Sequence, residues 1–242
     1  MHVRHLIIRN LVIKSFLPKM LHVHNISFKS NEKQIFTNIC LQLKRNDIVS
    51  IVGVNGSGKS VFLKIISGIL KQSGGIITVE KGIKISYMPQ KIFISPHLPI
   101  TVFHFFDLRC SNLNYDLLDR LNIDKSFMDK NLHNVSGGQM QKILFAATIM
   151  SNADILILDE PEQNLDAISR LLLYELIIEY AKNKAVIIAS HDPNIVFKKS
   201  NKVIHFDICG AVHYENIDKL YSHDINAKVK DLFEGYFACK HG

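Results

Sequence analysis

The sequence has few of the residues that staple or anchor a chain. Its 242 residues hold four cysteines, Cys40, Cys110, Cys209 and Cys239, far apart and with no C-x-x-C pair. That argues against a disulfide framework or a zinc ribbon, and a reducing compartment is expected. Long uncharged apolar runs are missing as well. The best, residues 143–150, has eight residues, where a membrane-spanning helix needs about 18 or more. There is no internal repeat and no low-complexity tract. Charged residues make up 21% and hydrophobic residues 47%, which excludes a disordered chain. A single core of this size can bury roughly 70–75% of the unfolded surface without disulfides.

Acidic residues are absent from residues 1–20, which carry Arg4, Arg9, Lys14 and Lys19. This arm holds four of the seven net positive charges, so only +3 is spread over the other 222 residues. That leaves no extended basic face, and nucleic acid is not expected as a partner. Arg9 and Lys14 interrupt the arm's apolar run, so it makes a poor signal-peptide core. Two readings remain: a segment resembling an organelle transit peptide, or an over-extended start with Met20 as the true initiator. The second is the expectation, because the patterned sequence begins at Leu21.

From there strands and helices alternate. Residues 21–28, 35–43 and 47–54 read as strands, the last ending in a glycine loop. Residues 61–70 carry Phe62, Ile65, Ile66 and Leu70 at helical spacing, and Gly74-Gly75 is expected to break that helix. Short strands follow at 76–79 and 83–88. Residues 91–150 have few strand signals; helices are expected at 102–108, 115–121 and 138–150, as an insertion between strands. Two apolar β-branched runs, 155–158 and 185–189, flank a helix at 168–180, the pattern of a parallel sheet buried on both faces. Residues 203–206 and 211–214, split by Gly210, read as a closing hairpin. His205, Cys209, His213, His223 and His241 have no common zinc spacing and read as strand or surface residues.

The strongest chemical signal is Gly53-Val54-Asn55-Gly56-Ser57-Gly58-Lys59-Ser60, which fits G-x-x-x-x-G-K-[ST] between a strand and a helix. Glycines let backbone N–H groups converge on phosphate oxygens, and the following helix adds its positive end. Lys59 supplies a cation for the β and γ phosphates, and the Ser60 hydroxyl can ligate Mg²⁺. Next is Ile155-Leu156-Ile157-Leu158-Asp159-Glu160, a buried strand that carries two acids to the ligand-binding edge of an α/β sheet. Asp159 suits Mg²⁺ through water, and Glu160 suits activation of the attacking water. Ser136, Gly137, Gly138 and Gln139 open a helix, as a plain N-cap or as a second anion site serving a nucleotide bound by another copy of the chain. Gln90 follows a strand where it can report on Mg²⁺ or the γ-phosphate. His191, in Ser190-His191-Asp192, ends another strand facing the same crevice.

In this order the segments resemble the nucleotide-binding subunit of an ABC transporter: Walker A at 53–60, a Q-loop at Gln90, the signature at 135–139, Walker B at 155–159 followed by Glu160, a D-loop around Asn164-Leu165-Asp166, and a switch histidine, His191. The resemblance covers roughly residues 21–210. It implies an α/β P-loop fold with a mostly parallel core sheet, an N-terminal antiparallel β subdomain and a helical subdomain at about 91–150. It implies an ATPase using ATP and Mg²⁺, with Ser60, Gln90 and Asp159 on the metal and Glu160, His191 and Gln90 catalytic. Phe28 lies where the family stacks an aromatic residue on adenine. Phe28, the Walker loop residues Gly53, Asn55, Gly56, Ser57, Gly58, Lys59, Ser60 and Val61, and the signature residues Ser136–Gln139 would bind nucleotide, the signature acting in trans across a homodimer.

The family also implies integral membrane permease partners, a periplasmic metal-binding protein reached through them, and a peripheral place on the cytoplasmic face of the bacterial inner membrane. Val61 for threonine, Val135 for leucine and Lys142 for arginine depart from the family pattern without removing a catalytic group. Tyr87-Met88-Pro89-Gln90-Lys91 followed by Leu98-Pro99-Ile100-Thr101-Val102 resembles the ATPase subunits of zinc importers. Zinc uptake is therefore the expected function. Manganese or iron import, export, and a soluble non-transport ABC ATPase are the alternatives.

Overall fold

The computed structural model describes residues 19–95, 97–192, 199–206 and 212–216. The N-terminal arm up to residue 18, the residues around Gly210 including Cys209, and His223 and His241 lie outside them. Strand β1 (Lys19–Ser30) starts two residues before the expected Leu21, and Met20 is already buried. β1 pairs antiparallel with β2 (Lys33–Lys44) and with β4 (Gly74–Val79), giving a three-stranded sheet in the order β2-β1-β4.

A second sheet runs β5 (Ile85–Met88), β6 (Ile155–Asp159), β7 (Ala185–Ala189), β3 (Ile48–Gly53), β8 (Lys202–Phe206) and β9 (Val212–Asn216). All of its neighbouring pairs are parallel except β8 with β9. Side chains alternate across a strand, and the alternation divides the core in two. Ile155 and Ile157 face the layer that holds helix α1 (Lys59–Ile66) and the antiparallel sheet. Leu156 and Leu158 face the opposite layer.

That opposite layer is built mainly by α2 (Val102–Arg109), α3 (Tyr115–Arg120), α4 (Lys125–Met128), α5 (Gly137–Met150) and α6 (Ala167–Ala181). All but α6 fall between β5 and β6. On the α1 side Phe36 meets Phe62 and Phe206 edge-on, at 5.9 and 5.7 Å between centroids. These two aromatic contacts tie the antiparallel sheet to α1 and β8, beneath the glycine loop.

Helix α1 is shorter than the expected 61–70. It starts at Lys59 and stops at Ile66, because Gly68 takes a positive φ of 79° and the chain closes a Schellman turn. The Gly68 N–H donates to the Ile65 carbonyl and the Ile69 N–H to the Lys64 carbonyl. Gly74 and Gly75 do not break this helix; they begin β4. A Cβ at Gly75 would lie 2.4 Å from the Asn25 carbonyl oxygen, so close approach to β1 requires glycine there.

Candidate functional site

Because β5, β6, β7 and β3 are parallel neighbours, their C-terminal ends share one edge of the sheet. This edge carries the Gly53–Ser60 loop after β3, Gln90 just beyond β5, Asp159 and Glu160 at the end of β6, and His191 beyond β7. Helices α2 to α6 each start on a side-chain cap: Thr101, Asn114, Asp124, Ser136 and Asp166. α1 starts on Gly58, at φ 106° and without a side-chain cap. Its first N–H groups are left to the loop and to any anion placed there.

The glycines of this loop are set by sterics. A Cβ at Gly53 would lie 2.2 Å from the Phe206 carbonyl oxygen, and one at Gly58 would lie 2.8 Å from the Ile35 side chain. Gly56 has a positive φ and open space around it. Asn55 and Gly56 are exposed, Ser57 is buried, and the Ser57 hydroxyl has no partner. A buried hydroxyl without a partner costs about 1–3 kcal/mol unless something completes it, and a phosphate oxygen would. Val61 packs against the core on this side. Phe28 is half-buried on β1, paired in register with Phe36 of β2, whose ring lies under Gly58.

The Lys59 ammonium donates to the carbonyls of Gly53 and Val54 at 2.7 and 3.0 Å. Burial lowers its pKa, against the opposing charges of Glu160 and Asp159. The Ser60 hydroxyl donates to Asp159 Oδ1 at 3.0 Å, and the Tyr87 hydroxyl donates to Asp159 Oδ2 at 3.1 Å. Burial pushes the Asp159 carboxyl up, while the bonds from Ser60 and Tyr87 pull it back. An oxygen-only pair, hydroxyl and carboxylate, suits a hard cation such as Mg²⁺.

Glu160 has a different environment. Its Oε2 accepts from Gln90 Nε2 at 2.7 Å, and its Oε1 lies 3.3 Å from His191 Nε2. Contact with His191 is the largest cause of a lowered Glu160 pKa, reinforced by the charge of Lys59 and the bond from Gln90 and opposed by burial. Neighbouring acids are thus pushed in opposite directions, the pattern that separates roles in a catalytic site. The Glu160 backbone is fixed too: its N–H donates to the Ala189 carbonyl at 2.9 Å, and its carbonyl accepts from Gln141 Nε2 at 3.0 Å.

Three side chains here were given no site role from sequence: Tyr87 on Asp159, Gln141 on the Glu160 carbonyl, and Glu162. Each meets a partner on another element, and no local pattern marks that contact.

The glycines before α5 sit elsewhere. Ser136 and Gln139 form a reciprocal capping box, with Ser136 Oγ accepting from the Gln139 N–H and Gln139 Oε1 accepting from the Ser136 N–H. Ser136 and Gly137 are exposed. Among the described residues no hydrogen bond or ion pair joins Ser136–Gln139 to the Gly53–Ser60 loop. Asp166 caps α6 by accepting from the Ser169 N–H and hydroxyl. A Cβ at Gly138 would lie 2.7 Å from the Asn164 carbonyl oxygen. Gly138→Ala should therefore force the two loops apart and cost about 1–3 kcal/mol, read as a thermal midpoint lowered by several degrees. An unchanged midpoint would show that the contact can relax.

Residues 36–163 match the ABC transporter family. Zinc import ATP-binding protein ZnuC of Buchnera aphidicola subsp. Baizongia pistaciae is 37% identical over 207 residues, covering 82% of this chain and 86% of that protein. The zinc import ATP-binding protein of Rickettsia conorii is 37% identical over 190 residues, covering 76% and 82%. Among solved structures, a metal-chelate type ABC transporter in an inward-facing conformation superposes with a TM-score of 0.74 at 27% identity, covering 90% of each chain. A dimeric ATP-binding cassette bound to ADP and phosphate shares the fold at a TM-score of 0.71 and 22% identity, covering 82% of this chain and 99% of that one.

Proposed function

Because the chain belongs to the ABC transporter family, as one of its ATP-hydrolysing subunits, we propose that it powers import of a divalent metal ion, zinc, as a homodimer bound to integral membrane permease subunits. The observation that carries the zinc reading is the 35–37% identity to zinc import ATP-binding proteins from several bacteria, over most of both chains. The 27% identical metal-chelate type transporter supports the same class of cargo.

ATP is held through its phosphates by the backbone of the Gly53–Ser60 loop, the open N-terminus of α1, the Ser57 hydroxyl and Lys59. Phe28 flanks the base. Lys59 exchanges the Gly53 and Val54 carbonyls for phosphate oxygens. Ser60 and Asp159, with Gln90 nearby, would hold Mg²⁺, which neutralises phosphate charge when bound. Glu160 orients the attacking water and accepts its proton, and Gln90 and His191 keep that carboxylate aimed at the γ-phosphate. Ser136, Gly137, Gly138 and Gln139 serve the nucleotide of the second copy; their exposure and their separation from their own glycine loop favour that arrangement.

Residues 91–150, on this reading a helical subdomain within an ATPase domain of 21–242, dock on the permease. Phe93, Leu98, Phe103, Leu108 and Tyr115 there are exposed, Phe93 at 91%, and are available to such a partner. Among the described residues no helix is long and apolar enough to cross a membrane. On the family reading the chain sits on the cytoplasmic face of the inner membrane through the permease. Capture of the ion would fall to a periplasmic metal-binding protein.

Lys59→Ala should weaken ATP binding about 10- to 100-fold, the worth of charge-assisted bonds to phosphate. Equal nucleotide affinity in variant and wild type, by direct titration, would remove Lys59 from the site. The cargo is tested by radiolabelled metal uptake in cells lacking their own zinc importer and supplied with this chain and its permease. ATP-dependent zinc uptake is expected, and uptake of manganese or iron without zinc would overturn the zinc reading.

A further inference from the structure

The loop after β6 presents a second acid, Glu162, to the same histidine that Glu160 meets. Glu162 Oε1 accepts from the Ser190 hydroxyl at 2.5 Å and from the His191 backbone N–H at 3.3 Å. Ser190 is fully buried, and its Oγ also accepts from the Asp192 N–H at 3.0 Å. Two acids of one loop thus hold His191 from both ends, Glu160 at the ring and Glu162 at the backbone. Glu162 Oε2 is buried with no hydrogen-bond partner. A residue needed only to fill space would not bring an unsatisfied oxygen there, since burying one costs about 1–3 kcal/mol.

The geometry points to Glu162 as a positioning residue for hydrolysis: it fixes the backbone at Ser190 and His191 so that the imidazole stays aligned with Glu160. An alignment error of about 1 Å at a reacting group can cost on the order of 100-fold in rate. Burial raises the Glu162 pKa, against the bond from Ser190. Glutamine is a near-isostere of the side chain, with a carbonyl oxygen that can accept from both the Ser190 hydroxyl and the His191 N–H. The inference rests on the reading of His191 as a group that acts on the γ-phosphate.

The test is steady-state ATP hydrolysis by the full chain carrying Glu162→Leu, Glu162→Gln, His191→Ala, and His191→Ala combined with Glu162→Leu. Glu162→Leu should lower kcat about 10-fold with KM for ATP within about twofold. Glu162→Gln should recover most of that loss. In the His191→Ala background Glu162→Leu should add nothing further, because its effect passes through the histidine. The His191 ring resonance, assigned by its disappearance in His191→Ala, should move in Glu162→Leu and stay near its wild-type position in Glu162→Gln. This second measurement needs folded protein only. Glu162→Leu at the wild-type rate, an equal loss in the His191→Ala background, or glutamine no better than leucine would each overturn the inference. His191→Ala at the wild-type rate would remove the reading of His191 itself, and this inference with it.

Discussion

Glu160→Gln stops turnover while leaving ATP bound. The expected loss in kcat is about 10²- to 10⁴-fold, the range for removing a general base, with nucleotide affinity unchanged or tighter. The geometry separates the two effects. On the proposed reading the phosphates rest on the loop backbone, the Ser57 hydroxyl and Lys59, whereas the Glu160 carboxylate, which the amide would replace, contacts Gln90 and His191 at 2.7 and 3.3 Å. Removing its negative charge also removes one of the two acids beside Lys59, so the pocket becomes more hospitable to a polyanion. An ATP-bound dimer should then accumulate and be visible by size-exclusion chromatography. The variant is checked by phosphate release under saturating ATP and by titration with a fluorescent nucleotide. Near wild-type phosphate release would show that another group activates the water.

The Gly53–Ser60 loop was legible in the sequence because its sterics constrain residue type position by position. Gly53 faces a carbonyl, Gly58 has φ 106° and abuts Ile35, and Lys59 follows at the first turn of α1. Strands β6 and β7 were legible for a similar reason: burial on both faces demands unbroken apolar runs. Local ends were harder. Gly68, not Gly74, stops α1, since whichever glycine the chain first turns left-handed ends the helix, and spacing does not say which that is.

The contacts that assemble the site were not legible. Gln90 reaches Glu160 across 70 residues, and Tyr87 reaches Asp159 across 72. They meet only because β5 and β6 are parallel neighbours. Glu162 lies only two residues beyond Glu160, yet its partners follow β7, 28 and 29 residues away. A motif shows which residues share a segment; the strand order decides which segments share an edge.

Ser136→Arg should abolish hydrolysis, lowering it by about 100-fold or more, yet leave ATP binding by the isolated subunit within about threefold. Ser136 is exposed and caps α5 through its box with Gln139. Loss of the cap costs about 1 kcal/mol, too little to unfold a domain of this size. Arginine also places a cation at a helix N-terminus, where an anion is preferred, and obstructs closure over a partner's phosphates. Mixing decides whether the site is shared. In a heterodimer of the Ser136→Arg and Lys59→Ala chains, one composite site carries both defects. The other joins the intact glycine loop of the first chain to the intact Ser136 of the second, as two-fold symmetry requires. Random pairing at equal concentration makes half the dimers mixed, with one sound site each, so about a quarter of the wild-type rate should return if sites fire independently. No recovery alongside stable heterodimers would mean that the sites fire only together. Hydrolysis by a demonstrably monomeric chain, indifferent to Ser136→Arg, would overturn the shared site, because the glycines before α5 would then serve only Asn164 and their own helix.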